Sequence, residues 1–351
     1  MKNFLRILIV LISAILIVAL VLMGICLFTQ YNPKDVELAS YTLKGNRHAN
    51  FDDPITLVSW NIGSAISSSD EKSFKDGGKK VEPISIDTVS KNLMGIRDTL
   101  KFYNADAYFL QDVDTSSKRS GKINEVKYFN DELDLDYSFA LDNKVAFYPF
   151  PWPVQGKIEA GSATYLPYQI NGAHRIPLTI GESRFPFKFV SPKRAMLVTR
   201  TPIDGSSKTL VLVNINLDKK VASTNDAQFN DVVNFINDEY KKGNYVIVGG
   251  TINRLLNGNI GSKINNSNLA SPSRLRNALG SDWTLAYDSS VPTVRTMNDT
   301  YNYKNNTTTN EYVVDGFICS PNVKVYNVHT IDEAFFYSDH NPVKATVKLI
   351  Q

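Results

Sequence analysis

The sequence predicts an α/β sandwich standing behind one N-terminal transmembrane helix. Three observations lead there. Ile7 to Phe28, ILIVLISAILIVALVLMGICLF, is an uncharged run of 22 residues, long enough to cross a hydrocarbon core of about 30 Å as a helix. Beyond Pro54, short apolar runs alternate with segments whose apolar residues recur every three or four positions, as strands followed by helices do. No internal repeat or long linker divides that region, so one domain with helices covering stacked sheets is expected.

The apolar run comes first. Lys2 and Arg6 precede it, whereas Lys34 is followed by Asp35 and Glu37. The positive-inside bias therefore predicts a cytoplasmic N-terminus and an extracytoplasmic C-terminal domain. A cleaved signal peptide would have a shorter apolar core and a small-residue cleavage site, so residues 1–29 are expected to persist as a single-pass anchor. Lipid attachment at Cys26 is disfavoured, because Ile25 stands where a small residue is expected. Residues 30–54 show neither period and are expected to form a tether, leaving residues 55–351 for the folded domain.

Within that domain, ITLVSWNI is a strand and the segment from Asp87 to Tyr103 is a helix, with Val89, Leu93, Ile96 and Leu100 on one face. AYFL is a buried strand running into Gln111 and Asp112. TLVLVNINL is a strand, Asp226 to Tyr240 a helix, and YVIV from Tyr245 a further strand. Gly249 and Gly250 after it are expected to turn the chain. YVVDGFICS and VKATVKL close the domain. Gly121–Pro186, which includes the aromatic and proline-rich stretch around Trp152, and Asn253–Arg276 show no clear period; such insertions often border a site.

Composition narrows the function. Basic residues number 38 against 35 acidic, and Lys2 and Arg6 supply two of that excess. Long nucleic acid held by bulk charge is therefore not favoured as a partner. The two cysteines suggest no bridge, and Cys319 is expected as a small core residue.

Polar residues of one chemical type sit at the predicted strand ends: Asn61, Asp112, Asn216, Thr251, Asn253, Asp315, and Asp339 beside His340. As an ordered set, WNI, LQDVD, NINL, GGTIN, VVDGFI and SDH resemble the motifs of the endonuclease/exonuclease/phosphatase superfamily, over roughly Ile55 to Leu349. That superfamily includes pancreatic-type deoxyribonucleases, abasic-site endonucleases, neutral sphingomyelinases and inositol-polyphosphate phosphatases. The resemblance implies a four-layer sandwich of two stacked mixed β-sheets flanked by helices. It implies that Asn61 lies near a metal and the scissile phosphate, that Asp315 orients a general acid or base at His340, that Asn253 belongs to the site, and that Asp339 and the residue at 112 help hold a divalent ion.

The same resemblance exposes three departures. The family's glutamate is Asp112, its transition-state histidine is Asn216, and its strand-end aspartate is Thr251. Asp112 is one methylene short, by ~1.5 Å, while Asn216 carries no proton and Thr251 no charge. Loss of a general acid or base typically costs about 10²- to 10⁴-fold; a combined loss of around 10⁴ raises the barrier by roughly 5.5 kcal/mol. The expectation is a membrane-anchored protein, catalytically impaired, with Mg²⁺ or Mn²⁺ held weakly by Asp112, Asp339 and Asn61, and retained to bind or scaffold around a phosphate-containing ligand. The alternative is an active metal-dependent phosphodiester hydrolase, in which Asp114 or Asp218, each two residues from a replaced position, restores the missing group.

Overall fold

A computed structural model describes residues 2–73, 76–78, 84–148, 154–182, 189–256, 272–306 and 308–351. The N-terminal run forms α1 (Lys2–Phe28). Its span Asn3–Ile25 is long and apolar enough to cross a membrane, and none of it is buried against the rest of the protein. Two short strands follow, β1 (Glu37–Leu38) and β2 (Ser40–Tyr41), then β3 (Ile55–Asn61), α2 (Ile86–Tyr103), β4 (Ala107–Asp114) and α3 (Glu125–Leu133). Strands β5 (Asp136–Tyr148), β6 (Gly156–Leu166), β7 (Gly172–Pro177), β8 (Ala195–Pro202) and β9 (Thr209–Asn216) lead to α4 (Ala222–Lys241) and β10 (Tyr245–Thr251). The chain ends with α5 (Pro272–Leu279), β11 (Thr284–Ala286), β12 (Val294–Arg295), β13 (Glu311–Tyr312), β14 (Asp315–Cys319), β15 (Val323–Thr330) and β16 (Val343–Leu349).

The strands make two seven-stranded mixed sheets, ordered β1-β7-β8-β9-β10-β14-β11 and β15-β16-β3-β4-β6-β5-β2, together with the small β12-β13 ribbon. Leu57, Phe109 and Ala345 of the second sheet meet Leu212, Ile247 and Phe317 of the first in the central core. Helix α4 lays Phe229, Val232 and Ile236 on Val211, Val213, Val246 and Val248 on the outer face of the first sheet. Helix α2 covers the second with Val89, Leu93, Ile96 and Leu100. It starts where the Ser85 hydroxyl caps Thr88 N–H and stops at Asn104 in the left-handed conformation. The four-layer sandwich is as expected. Cys319 lies buried in its centre, where desolvation pushes the thiol up to about 12.

Three local expectations change. Residues 30–54 do not hang free: β1 pairs with β7 and β2 with β5, so the segment read as a tether is sewn to an edge of each sheet. Such pairs are too short to show a period in sequence. Gly249 and Gly250 continue β10 rather than turn it. A Cβ on Gly249 would come 2.8 Å from the Phe109 ring, and one on Gly250, at φ +147°, 2.0 Å from the Ile215 carbonyl oxygen, so the glycines permit close approach of sheets and strands. Gly121–Pro186 contains α3, β5, β6 and β7; buried polar residues such as Ser138, Asp142 and Thr164 hide the strand alternation. Trp152 and residues 257–271 lie outside the described residues.

Candidate functional site

The sheets bring Asn61, Asp112, Asn216, Thr251 and Asp315 to one end of the sandwich. Asn216, Thr251 and Asp315 are direct register neighbours on β9, β10 and β14. Between the sheets a buried amide pair fixes the spacing: Gln111 Nε2 donates to Asn214 Oδ1 at 2.8 Å, and Asn214 Nδ2 donates to the Leu110 and Ala163 carbonyls. The 338–340 loop is held from below, where Trp60 Nε1 donates to the His340 carbonyl and Ser338 Oγ donates to the Asn61 carbonyl.

One chain of polar contacts crosses the cleft. Asn61 Nδ2 donates to Asp112 Oδ2 at 3.0 Å and to Thr251 Oγ1 at 3.4 Å. The Thr251 hydroxyl donates to Asp315 Oδ1 at 2.6 Å, and His340 Nδ1 donates to Asp315 Oδ2 at 2.9 Å. Burial acts to lower the His340 pKa, but the Asp315 and Asp339 carboxylates outweigh it and the net shift is upward. The expected Asp315–His340 pair is therefore formed, and Thr251 joins it. Asn253 is engaged elsewhere: its Nδ2 donates to the Leu217 carbonyl at 2.7 Å.

Asp112 reaches the cleft because β4 bulges. Its φ is +51° and the β4–β6 register shifts between Leu110 and Val113, so the alternation that would place Asp114 on the same face is broken. Asp114 instead lies fully buried behind the site, accepting from Arg119, Ser64 and Ser120. Asp218 Oδ1 accepts from Lys220 and Val221 N–H ahead of α4.

Three groups of the cleft escaped the sequence reading. Arg194 Nη1 lies 3.5 Å from Asp112 Oδ1 and 3.6 Å from Asp142 Oδ2. Desolvation would raise the Asp112 carboxyl, but Arg194, Arg119 and the nearby Asn61 and Asn216 amides bring it down to about 2; 35% of the side chain still reaches solvent through the cleft mouth. Burial pushes Asp142 up to about 6 against the pull of Arg194 and Arg175. Desolvation acts to lower Lys219, but Asp76, Asp339 and Asp112 together outweigh it and the net shift is upward. Lys193–Arg194 in SPKRAML is a signal only in hindsight, since charged residues commonly flank buried strands.

Asn216 is 1% exposed, and its Nδ2 has no hydrogen-bond partner among the described residues. It faces the Asp112 carboxylate as a hydrogen-bond donor and so lowers the Asp112 pKa, but from a position short of full hydrogen-bond geometry.

A divalent ion fits this donor set poorly. Magnesium requires near-octahedral oxygens at ~2.0–2.1 Å. Asp112 faces Arg194 and the Asn61 amide N–H, Asn61 Oδ1 accepts from Gly63 N–H, and Thr251 is committed to Asp315. Asp339 shows no side-chain hydrogen bond among the described residues, and no three His, Cys, Asp or Glu residues among them cluster to hold a metal.

No family model and no curated protein matches the sequence. Solved structures do match. An endonuclease/exonuclease/phosphatase from Bacteroides vulgatus aligns over 85% of this chain and 100% of its own, with a TM-score of 0.56 at 13% identity. An endonuclease/exonuclease/phosphatase family protein from Leptotrichia buccalis gives 0.55 at 13% identity, over 84% of this chain and 100% of its own. TDP2 from D. rerio, solved with a single-strand DNA product, gives 0.53 at 14%, over 85% and 100%. The chain thus has the endonuclease/exonuclease/phosphatase fold. At such identities the likeness speaks for architecture and leaves activity to the residues of the cleft.

Proposed function

We propose that this protein is a membrane-anchored, catalytically impaired domain of that fold which binds a phosphate-containing ligand in its cleft. The observation that carries the reading is the Asn216 amide, a buried donor without a full hydrogen bond, near the same Asp112 carboxylate that the permanent cation Arg194 approaches. An unpaired buried donor costs about 1–3 kcal/mol, and an anionic oxygen arriving there removes that cost. Lys219 adds positive charge. Meanwhile the Thr251 hydroxyl satisfies Asp315 without an ion.

Calorimetry with inorganic phosphate and sulfate tests the binding; Asn216→Asp, which puts a negative charge at the donor, is expected to abolish it. A second reading, residual hydrolysis, draws support from the intact Asp315–His340 pair alone. Turnover of an activated phosphodiester that needs Mg²⁺ or Mn²⁺, stops with EDTA and disappears in His340→Ala would establish that reading instead. Lys2 and Arg6 ahead of α1 support an extracytoplasmic domain through the positive-inside bias; protease added to intact cells should remove it, and full protection would reverse the orientation.

A further inference from the structure

The segment that follows α1 lines a cavity rich in basic side chains. Residues 32–35 form one wall of a cavity of about 170 Å³ whose other walls are Arg175, Pro177, Ile180, Lys193 and Arg194. That is several water volumes of ~30 Å³, the scale of a phosphate with its glycerol ester. Helix α1 ends at Phe28, and the four residues to Asn32 span at most ~14 Å. The headgroup layer of a bilayer is itself about 5–7 Å deep on each face. Whatever the tilt of an inserted α1, the chain holds this wall at the headgroup level or just beyond.

The cavity has the chemistry of an anion seat. Lys34, Arg175, Lys193 and Arg194 face one carboxylate, Asp35. Arg175 is 2% exposed; its Nε donates to the Leu141 carbonyl at 2.8 Å and its Nη2 to the Lys193 carbonyl at 2.6 Å. Its Nη1 has no acceptor among the described residues. Arg175 thus lines the cavity while keeping one guanidinium nitrogen buried and unpaired, a group that suits an anionic oxygen once side chains shift to admit it. The Tyr31 ring lies 5.7 Å from the same guanidinium and draws the membrane-proximal chain onto the site. Pro177 and Ile180, the latter 54% exposed, supply apolar surface. Arg194 belongs both to this cavity and to the cleft, where it meets Asp112.

We propose that the cavity takes the phosphodiester headgroup of an anionic phospholipid from the bilayer that holds α1, with Arg194 coupling it to the cleft. The inference rests on the anion-binding reading above and on insertion of α1; it adds the source of the phosphate.

The test uses the full chain in nanodiscs of phosphatidylcholine and phosphatidylglycerol mixed. Native mass spectrometry counts the retained lipid, and glycerol 1-phosphate is titrated in parallel by calorimetry. Retention of phosphatidylglycerol over phosphatidylcholine by about tenfold is expected, falling to parity in the Lys34→Glu, Lys193→Glu double variant. Lys34→Glu alone, on an exposed side chain, is expected to lose part of the preference with unchanged thermal unfolding. Equal retention of the two lipids, a preference that survives both variants, or failure of the chain to enter the disc would each overturn the proposal. Glycerol 1-phosphate binding without lipid enrichment assigns the site to a free phosphate and leaves the cleft reading standing. Loss of both removes both.

Discussion

The Thr251 hydroxyl donates a 2.6 Å hydrogen bond to Asp315 Oδ1, on the side of that carboxylate opposite His340. An aspartate at 251, as the superfamily resemblance implies, would set two carboxylates against each other and call for a cation or a shared proton between them. Threonine supplies a donor instead, and the pair is satisfied as it stands. The Thr251→Val variant should therefore lose about 1.5–3 kcal/mol of stability, the worth of a hydrogen bond to a charged group. Urea denaturation measures it, and a loss below ~0.5 kcal/mol would mean that Asp315 finds another donor.

His340 should titrate above the usual imidazole value of about 6.5, because Asp315 and Asp339 outweigh its burial. A histidine raised in this way stabilises the fold fully below its unfolded pKa, and the contribution fades as pH rises through the folded value. NMR titration of the His340 ring should show the raised value and a fall in Asp315→Asn. A His340 pKa unchanged by that substitution would break the coupling.

Away from the site, Glu239 links α4 to β8 through Arg200 at 2.7 Å. Burial would raise its carboxyl, but Arg200, Lys242 and Asn244 bring it down to about 2 from an ordinary 4.5. A depressed acid contributes stability above its unfolded pKa and loses it as pH falls through the folded one, here between about 4.5 and 2. The shift corresponds to roughly 3 kcal/mol. Urea denaturation at pH 7, 4 and 2.5 should show Glu239→Gln well below wild type at neutrality, with most of that gap closed by pH 2.5.

The family assignment of the cleft has its own test. Asp112→Glu, Asn216→His and Thr251→Asp together restore a longer carboxylate, an imidazole and an anion facing His340. Each alone should yield little activity, since such groups act as a unit, and Thr251→Asp alone should be destabilised beside Asp315, with Mn²⁺ restoring some of the loss. The triple is expected to gain metal-dependent hydrolysis of an activated phosphodiester, reversed by His340→Ala. A folded triple variant without activity would mean either that the rest of the pocket, with Arg194 held between Asp112 and Asp142, no longer supports the chemistry or that the motif assignment at Thr251 is wrong.

Local patterns in the sequence determined the apolar span, the strands that carry Asn61 and Asn216, the start of β10 at Tyr245, and the faces of α2 and α4, because hydrophobic period acts over a few positions; that β10 runs on through its glycines to Thr251 came only from the fold. Motif order was enough to pick out Asp315 with His340. Only the tertiary structure decided what stands around them. The β4 bulge turns Asp112 into the cleft and sends Asp114 behind it; Arg194, 82 residues further along, reaches Asp112. Residues 37–41 join both sheets through partners about 100 to 140 positions away. Such contacts follow from how strands twist and stack across the whole domain, and no local period of residues encodes them.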